Sequence, residues 1–231
     1  MTARLGVLMI HPRGRAPYIE SATREWISSA GIDIVPIPTR ITKTEALAFI
    51  KSIDGLYLHP GDPGSYKGLD ETIRTANILL EFAVLENKHN RYFPVWGTCM
   101  GFQLMMLFFE PTLKLEQLDA VDRHHPLRFR RTRTRSRLPL HKLTHVPWYN
   151  HQMGVSVEQM NRLETKTKSS FRILATARDR AGKEYVALAE TIDSIGPMYG
   201  CQFHPETKAH QKQTLWMMEF FRDEMLHESY S

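Results

Sequence analysis

The sequence predicts an α/β protein, a three-layer sandwich in which a mainly parallel central sheet is flanked by helices. Continuous apolar runs, such as L-G-V-L-M-I after Arg4, are typical of strands that are buried on both faces. They alternate with segments whose apolar residues recur at helical spacing. Because this alternation implies right-handed crossovers between parallel strands, we expect functional groups at the carboxyl ends of the strands.

The first half of the chain alternates strands and helices throughout. Strands are predicted at residues 4–10, 32–37 and 53–58, and helices at 16–30, 42–50 and 69–86. Gly31 is suited to end the first helix, and Thr42 is suited to cap the start of the second. The second half predicts strands at 170–176, 184–190 and 198–203, a turn at 179–182 and a last helix at 206–226.

The composition indicates one intracellular domain. The 231 residues are enough for one core, and no linker or internal repeat divides them, so a single domain is expected over residues 1–231. The apolar runs are shorter than a membrane span, and residues 1–6 lack the plan of a secretion signal. Cys99 and Cys201 give no disulfide framework. We therefore expect a cytoplasmic protein without a membrane partner.

Residues 92–103, Y-F-P-V-W-G-T-C-M-G-F-Q, join a predicted strand to a predicted helix through Cys99. Gly97 and Gly101 suit a sharp reversal that presents the sulfur above the sheet, as in a nucleophile elbow. The N–H groups and positive dipole end of the following helix favour the thiolate, which is the nucleophilic form of cysteine. The alternative is a buried structural cysteine in a β-turn-α unit.

The loop that leaves the third strand, H-P-G-D-P-G at residues 59–64, is a candidate oxyanion site. Its composition lets backbone N–H groups face a ligand. A donor at Gly61, together with the N–H of Met100, could stabilise the oxyanion of an acyl-transfer reaction. The alternative is an ordinary turn.

Residues 201–206, C-Q-F-H-P-E, supply a base and a group to orient it. Alternation along the strand places His204 on the rim where Cys99 is expected, and Glu206 can accept the second N–H of the imidazole. These residues predict a Cys99, His204 and Glu206 triad. Nearby histidines have neither an H-E-x-x-H pattern nor paired cysteines, so no metal is expected.

The net charge of +5 is concentrated in a basic insertion at about residues 123–145. Arginines 131, 133, 135 and 137 alternate with Thr and Ser, so a strand would project them on one face. One interpretation is a charged, solvated edge strand. The other is a cationic flap for a polyanionic substrate. No recognised nucleic-acid motif accompanies the run, so a nucleic-acid partner is not expected.

The motifs at 97–103 and 201–206 resemble those of the class I glutamine amidotransferase-like superfamily, which has a flavodoxin-like fold. Within it the chain is most similar to γ-glutamyl hydrolases, above all in P-V-W-G-T-C at 94–99. Residues 126–129, P-L-R-F, resemble the start of the family's variable flap segment. Residues 150–151, Asn-His, resemble an element that the family links to the substrate's glutamate.

The resemblance implies a nucleophilic Cys99, a base His204, an orienting Glu206 and an oxyanion hole near Gly61 and Met100. It also implies hydrolysis of γ-glutamyl bonds of folate poly-γ-glutamates through an acyl-enzyme, without a cofactor or a metal.

Substrate contacts are expected at four further positions. The resemblance implies contacts at His151 and Tyr18, and the flap interpretation adds Arg131 and Arg133 for the anionic tail of the substrate. The expected partner is a small-molecule or peptide γ-glutamyl substrate, and a homodimer is left open.

The chain also departs from the family pattern. Asp62 stands in the strand-three loop where the family has P-G-G, and its carboxylate would oppose an oxyanion. Family members are commonly secreted or lysosomal. The arginine run exceeds the family's, and Cys201 occupies an apolar family position, which indicates a core residue.

Three functions remain in competition. The leading one is a cysteine γ-glutamyl hydrolase. The second is a glutaminase subunit that supplies ammonia to a synthetase partner, because the same triad would attack the same γ-carbonyl. The third is a non-catalytic descendant whose basic flap binds acidic polymers.

Overall fold

The computed structural model describes residues 2–11, 15–61, 69–132, 135–166 and 169–227. Within them ten strands and six α-helices follow in order: β1 (Arg4–Leu8), α1 (Ser21–Ser29), β2 (Asp33–Ile37), α2 (Lys43–Ser52), β3 (Gly55–Leu58), α3 (Leu69–Lys88), β4 (Val95–Thr98), α4 (Met100–Phe109), β5 (Glu116–His124), β6 (Arg128–Phe129), β7 (Trp148–Gly154), α5 (Val157–Lys166), β8 (Phe171–Arg178), β9 (Glu184–Thr191), β10 (Met198–Cys201) and α6 (Gln211–Met225).

Eight of these strands form one sheet, in the order β2-β1-β3-β4-β10-β9-β8-β6. The pairs from β2 to β10 are parallel, and the pairs from β10 to β6 are antiparallel. β5 and β7 form a separate antiparallel pair. The turn at Asp179 to Gly182 joins β8 to β9 in the predicted hairpin.

Two apolar layers cover the two faces of the sheet. Ile50 of α2, Leu79 of α3 and Met105 of α4 belong to one buried cluster. Trp26 of α1 and Phe221 of α6 belong to a second cluster on the other face. Burial of this apolar area is the main favourable contribution to folding. The predicted fold class, a mainly parallel sheet between helical layers, is confirmed.

The pairing of β4 with β10 determines where the functional edge lies. Both strands run in the same direction, with Met198 opposite Val95 and Cys201 opposite Thr98. Beyond the last pair, the N–H of Cys99 donates to the carbonyl oxygen of Cys201 at 2.8 Å. The segments that follow the two strands therefore leave the sheet side by side.

Two predicted helix boundaries were wrong. α1 begins at Ser21 rather than at residue 16, because the backbone of Tyr18 pairs with Ile10 through hydrogen bonds of 3.0 and 2.9 Å. α6 begins at Gln211 rather than at residue 206. Residues 206–210 form turns instead, which leaves Glu206 outside the helix. Charged residues at the start of a helical sequence pattern do not by themselves determine where the helix begins.

Three elements were missed, β5, β7 and α5. β5 reads E-Q-L-D-A-V-D-R-H, and its pairing with β7 is interrupted by register shifts, so its alternation is irregular. α5 is rich in polar residues and packs through few apolar side chains, among them the buried Met160. The irregular alternation of β5 and the high polar content of α5 made these two elements hard to recognise from the sequence.

The strand interpretation of the arginine run is wrong for the residues that the structure describes. Among them, a strand is formed at Arg128–Phe129, β6, which pairs with β8 at the end of the sheet. Beyond it, Ser136 donates to Glu190 at 2.9 Å and Arg137 contacts Glu224 at 3.5 Å. These two side chains therefore bond to β9 and α6. The described residues of this segment run along the sheet from its carboxyl edge towards its amino edge.

Candidate active site

Cys99 lies in the turn between β4 and α4 with a backbone φ of 51°, a conformation that a non-glycine residue rarely adopts. The flanking glycines have another purpose. A Cβ on Gly97 would lie 2.8 Å from the carbonyl oxygen of Gly101, and a Cβ on Gly101 would lie 2.0 Å from that of Leu58. The two glycines therefore permit close backbone approach, while the cysteine itself takes the unusual torsion angle of a nucleophile elbow.

Two buried amide side chains surround the thiol. Nε2 of Gln202 lies 3.6 Å from Sγ of Cys99 and donates to it. Gln103 donates from its own Nε2 to Oε1 of Gln202 at 3.1 Å and to the carbonyl oxygen of Met153 at 2.7 Å. Both glutamines are almost fully buried. This relay fixes the amide orientation of Gln202, so that an N–H group faces the sulfur.

His204 and Glu206 form a buried pair beside the elbow. Nδ1–H of His204 donates to Oε1 of Glu206 at 2.7 Å, and the two side chains are 12% and 3% exposed. The ring of Trp148 packs on the imidazole with centroids 5.3 Å apart. Nε2 of His204 is buried and makes no hydrogen bond, which leaves it available for proton transfer.

The electrostatic surroundings favour the protonated imidazole. Burial alone would lower the pKa of His204, but the negative charges of Glu206 and Cys99 act in the opposite direction. Together they outweigh burial and hold the pKa of His204 well above its usual value. The sulfur and the carboxylate are therefore both electrostatically coupled to the same ring.

His59 is a second buried imidazole near this pair. It donates from Nδ1 to the carbonyl oxygen of Pro60 at 2.6 Å and accepts the N–H of Glu20 at Nε2, at 3.3 Å. Only the neutral ring can make both bonds. Burial, reinforced by the charge of His204, lowers the pKa of His59 to about 4, although the hydrogen bond to Pro60 and the charge of Glu206 oppose the shift. His59 therefore remains uncharged beside a charged neighbour.

The predicted oxyanion donors lie near the elbow, at the ends of two neighbouring strands. α4 begins at Met100, directly after Cys99, and the N–H groups of a first helical turn have no acceptor within the helix. Gly61 follows β3, which pairs with β4. Asp62, whose carboxylate would oppose an oxyanion, lies outside the described residues. The oxyanion assignment stays a prediction.

His151 is buried on β7 in an aromatic environment. Its ring lies 5.1 Å from that of Tyr185 and 5.9 Å from that of Tyr149, and its Nδ1 bonds to the carbonyl oxygen of Met153 at 3.0 Å. Burial and the charge of His204 lower the pKa of His151 to about 4, although the hydrogen bond to Met153 opposes the shift. Its Nε2 has no hydrogen-bond partner. A neutral imidazole therefore lies within electrostatic reach of the pair.

Of the other predicted substrate residues, the structure describes Tyr18 and Arg131. Tyr18 is partly buried against the core cluster of the α2, α3 and α4 face. Arg131 is exposed and follows β6, which is three strands from β10, or roughly 14 Å at the usual strand spacing. Arg133 lies outside the described residues. The substrate contacts of all three stay predictions.

Cys201 is a core residue. It is fully buried, and its thiol donates to the carbonyl oxygen of Phe203 at 3.4 Å. Burial raises the pKa of Cys201 well above its usual value. Its chemistry therefore differs from that of Cys99, although the two cysteines terminate neighbouring strands.

Gln103, Gln202, His59 and Glu20 were missed by the sequence reasoning. Gln103 stands four residues after Cys99, so both lie on one face of the helical turn, and that spacing was an available signal. No pattern in the sequence indicates that Gln202 faces the sulfur. The described residues contain no group of three or more His, Cys, Asp or Glu side chains arranged to hold a metal ion.

The fold and the nucleophile elbow define a class of protein, and comparison with known protein families identifies that class. The sequence pattern of the family "Glutamine amidotransferase class-I" matches residues 19–224. The chain belongs to this family.

Particular relatives within the family carry one name. The chain is 29% identical to γ-glutamyl hydrolase from Homo sapiens, covering 91% of this chain and 69% of the relative. It is 30% identical to the enzyme from Mus musculus, covering 86% and 63%, and 27% identical to γ-glutamyl hydrolase B from Dictyostelium discoideum, covering 82% and 56%. The predicted resemblance to γ-glutamyl hydrolases is confirmed. The chain spans little more than half to about two thirds of the length of these relatives.

Solved structures with the same fold have much lower identity. The glutaminase domain of CTPS from Trypanosoma brucei, with bound acivicin, aligns with a TM-score of 0.67 at 15% identity, covering 100% of this chain and 96% of that domain. PurLQS from Thermotoga maritima aligns with a TM-score of 0.58 at 12% identity, covering 96% and 99%. At these identities the likeness concerns the fold alone. No helix among the residues that the structure describes is both long and apolar enough to cross a membrane.

Proposed function

We propose that this protein is a cysteine hydrolase that cleaves γ-glutamyl amide bonds, with folate poly-γ-glutamates or other γ-glutamyl peptides as substrates. The observation that carries the proposal is the convergence of Cys99 with the bonded pair of His204 and Glu206 at the ends of two adjacent parallel strands. The class-I glutamine amidotransferase family and relatives named γ-glutamyl hydrolase support this choice of chemistry.

The proposed reactive form of the site is a Cys99 thiolate beside a protonated His204. Burial lowers the pKa of His204, but the negative charges of Glu206 and Cys99 raise it by more, so the imidazole favours its protonated form. The N–H of Gln202 and the dipole of α4 can stabilise negative charge on the sulfur during attack.

The reaction takes place in two steps. Sγ of Cys99 attacks the γ-carbonyl carbon, and N–H groups of Met100 and Gly61 stabilise the oxyanion. As the tetrahedral intermediate collapses, the C–N bond breaks and His204 gives its proton to the leaving amine. A water molecule then attacks the thioester, with the neutral His204 taking its proton, and Cys99 leaves as the thiolate. Glu206 keeps the imidazole in one tautomer and orientation through both steps.

His151 is proposed to recognise the glutamate moiety of the substrate. Its Nε2 is buried without a hydrogen-bond partner, and because Nδ1–H donates to the carbonyl oxygen of Met153, Nε2 of the neutral ring can accept an N–H group of the glutamate moiety. Tyr18, Arg131 and Arg133 are proposed as further contacts, with the arginines directed to the anionic tail.

The test compares wild type, Cys99→Ala and Cys201→Ala on a poly-γ-glutamyl folate, with chain shortening followed by chromatography. We expect turnover by wild type and Cys201→Ala and none by Cys99→Ala. The Cys201 variant is the matched control because both thiols are buried and terminate neighbouring strands. Absence of wild-type turnover on every γ-glutamyl peptide tried would refute the hydrolase.

A second assay distinguishes the hydrolase from the glutaminase alternative. Free glutamine is supplied to the wild type, and ammonia is measured. Ammonia release without cleavage of γ-glutamyl peptides would assign the triad to glutaminase chemistry instead.

A further inference from the structure

A cavity of about 1070 Å³ lies at the amino ends of β4 and β10. Its lining includes Tyr92, which precedes β4, and Pro197 and Met198, where β10 begins. Cys99 follows the opposite end of β4, so the cavity and the candidate active site occupy opposite edges of the sheet. Its volume is at the upper end of the range for small-molecule sites.

Two cations in the lining have no acidic partner among the residues that the structure describes. They are Lys88, from the last turn of α3, and Arg135, from the segment after β6. Both side chains are exposed to solvent. Because they come from separate elements, their proximity reflects the fold and not neighbouring positions in the chain.

A third cation, Arg137, is held in place. Its guanidinium lies over the ring of Tyr92, 5.2 Å from the centroid, and contacts Glu224 at 3.5 Å. Tyr199 also donates to Glu224, at 2.6 Å. Fixing the side chain in advance lowers the entropy cost of binding a ligand. A guanidinium carries five N–H donors, and the contacts with Tyr92 and Glu224 both involve Nη1.

The two acidic residues of the lining share one arginine. Glu190 is buried and bonds to Arg172 at 2.6 Å and to Ser136 at 2.9 Å. Asp193 contacts the same arginine at 3.6 Å and is 80% exposed, so one of the two negative charges remains uncompensated. The cations of Lys88 and Arg135 outnumber that one carboxylate, which leaves the lining with a net positive charge.

We propose that this cavity is a binding site for a small organic polyanion, a molecule with two or more carboxylate or phosphate groups. Guanidinium and ammonium groups recognise both kinds of oxyanion. The arginine run of the basic insertion thus has a second role, apart from the chemistry at Cys99. Binding here does not require the proposed hydrolase activity.

The test is calorimetric titration with two probes, tri-γ-glutamate for carboxylates and pyrophosphate for phosphates. Cys99→Ala serves as the parent protein, so that the first probe is not consumed. We expect at least one probe to bind with an affinity that falls at least about tenfold in the double variant Lys88→Gln/Arg135→Gln, whereas binding of tri-γ-glutamate at the candidate active site would not respond to that change. The probe that binds identifies the oxyanion. Thermal unfolding of each variant verifies that it is folded.

The matched control is Arg24→Gln/Lys212→Gln, which removes the same charge, from one arginine and one lysine, at exposed positions outside the cavity. We expect its affinity to stay within twofold of the parent. Equal weakening by both double variants would overturn the proposal, because only net charge would then matter. Failure of both probes to bind at millimolar concentration would also overturn it.

Discussion

Replacement of Glu206 by Gln tests the proposed mechanism most directly. The variant keeps a similar side-chain volume but removes the charge that His204 bonds at 2.7 Å in a buried environment. A hydrogen bond to a charged group contributes about 1.5–3 kcal/mol, which corresponds to roughly 10- to 150-fold in kcat/KM if the bond acts in the transition state.

The pH profile gives an independent readout. The charge of Glu206 raises the pKa of His204, and the acylation step requires the protonated ring. Activity should therefore fall as pH rises through the pKa of His204, and the alkaline limb of kcat/KM should move to lower pH in Glu206→Gln.

Glu20→Gln is the control for this experiment. Glu20 lies near both His204 and Glu206 but makes no hydrogen bond to the imidazole in the described structure. Because Glu20 interacts with His204 only through its charge, we expect the alkaline limb of Glu20→Gln to move less than that of Glu206→Gln. The reasoning is refuted if Glu206→Gln retains kcat/KM within twofold of wild type with an unmoved alkaline limb.

Three further predictions concern the thiol, the elbow and the pH dependence of stability. Gln202→Leu should slow alkylation of Cys99 by about fivefold, because it removes the donor to sulfur, and an unchanged iodoacetamide rate would contradict the relay. Gly101→Ala should lower the free energy of unfolding in urea by about 3 kcal/mol or more, since its Cβ meets rigid backbone, whereas Gly154→Ala meets only a movable leucine methyl and should cost less. Burial lowers the pKa of His59 to about 4, so its neutral form contributes up to about 3 kcal/mol of stability above pH 6.5, which is lost as pH falls from 6.5 to 4. His59→Gln should flatten this part of the stability curve, and an equally steep curve in the variant would contradict the assignment.

The sheet and its helical layers could be predicted because the pattern of apolar residues that indicates each strand or helix lies within that element itself. Fully buried parallel strands read as continuous apolar runs, and β1 and β3 did so. The elbow was also legible, because two glycines around a cysteine after an apolar strand suit a sharp turn, although a buried structural cysteine fits the same pattern. The sequence predicted only that His204 lies on the rim where Cys99 is expected, and the register that brings Cys99 beside Cys201 is known from the structure.

The basic segment could not be predicted by the same means. Alternation of Arg with Thr and Ser has the period of a strand, but a strand needs a free neighbour to pair with. Ser136 and Arg137 instead bond to Glu190 and Glu224, which come from distant parts of the chain. Contacts with such distant residues can outweigh the secondary structure that the local sequence pattern favours. A short stretch of sequence does not show these contacts.

The amide relay was hidden for a related reason. Gln202 and Gln103 are almost a hundred residues apart, and their contact at 3.1 Å depends on the pairing of β10 with β4. A glutamine after a strand is ordinarily exposed, so the residue type alone would wrongly predict a surface position for Gln202.

The torsion angle of Cys99 affects how inactive variants of this enzyme should be chosen. Its φ of 51° and ψ of −107° are the mirror image of an ordinary extended conformation, which glycine accepts and alanine does not. Strain of about 1–3 kcal/mol should outweigh the entropic cost of glycine, about 0.5–1 kcal/mol. Cys99→Gly should therefore give a more stable inactive protein than Cys99→Ala. The cysteine at this turn thus has a backbone conformation that costs the protein folding free energy.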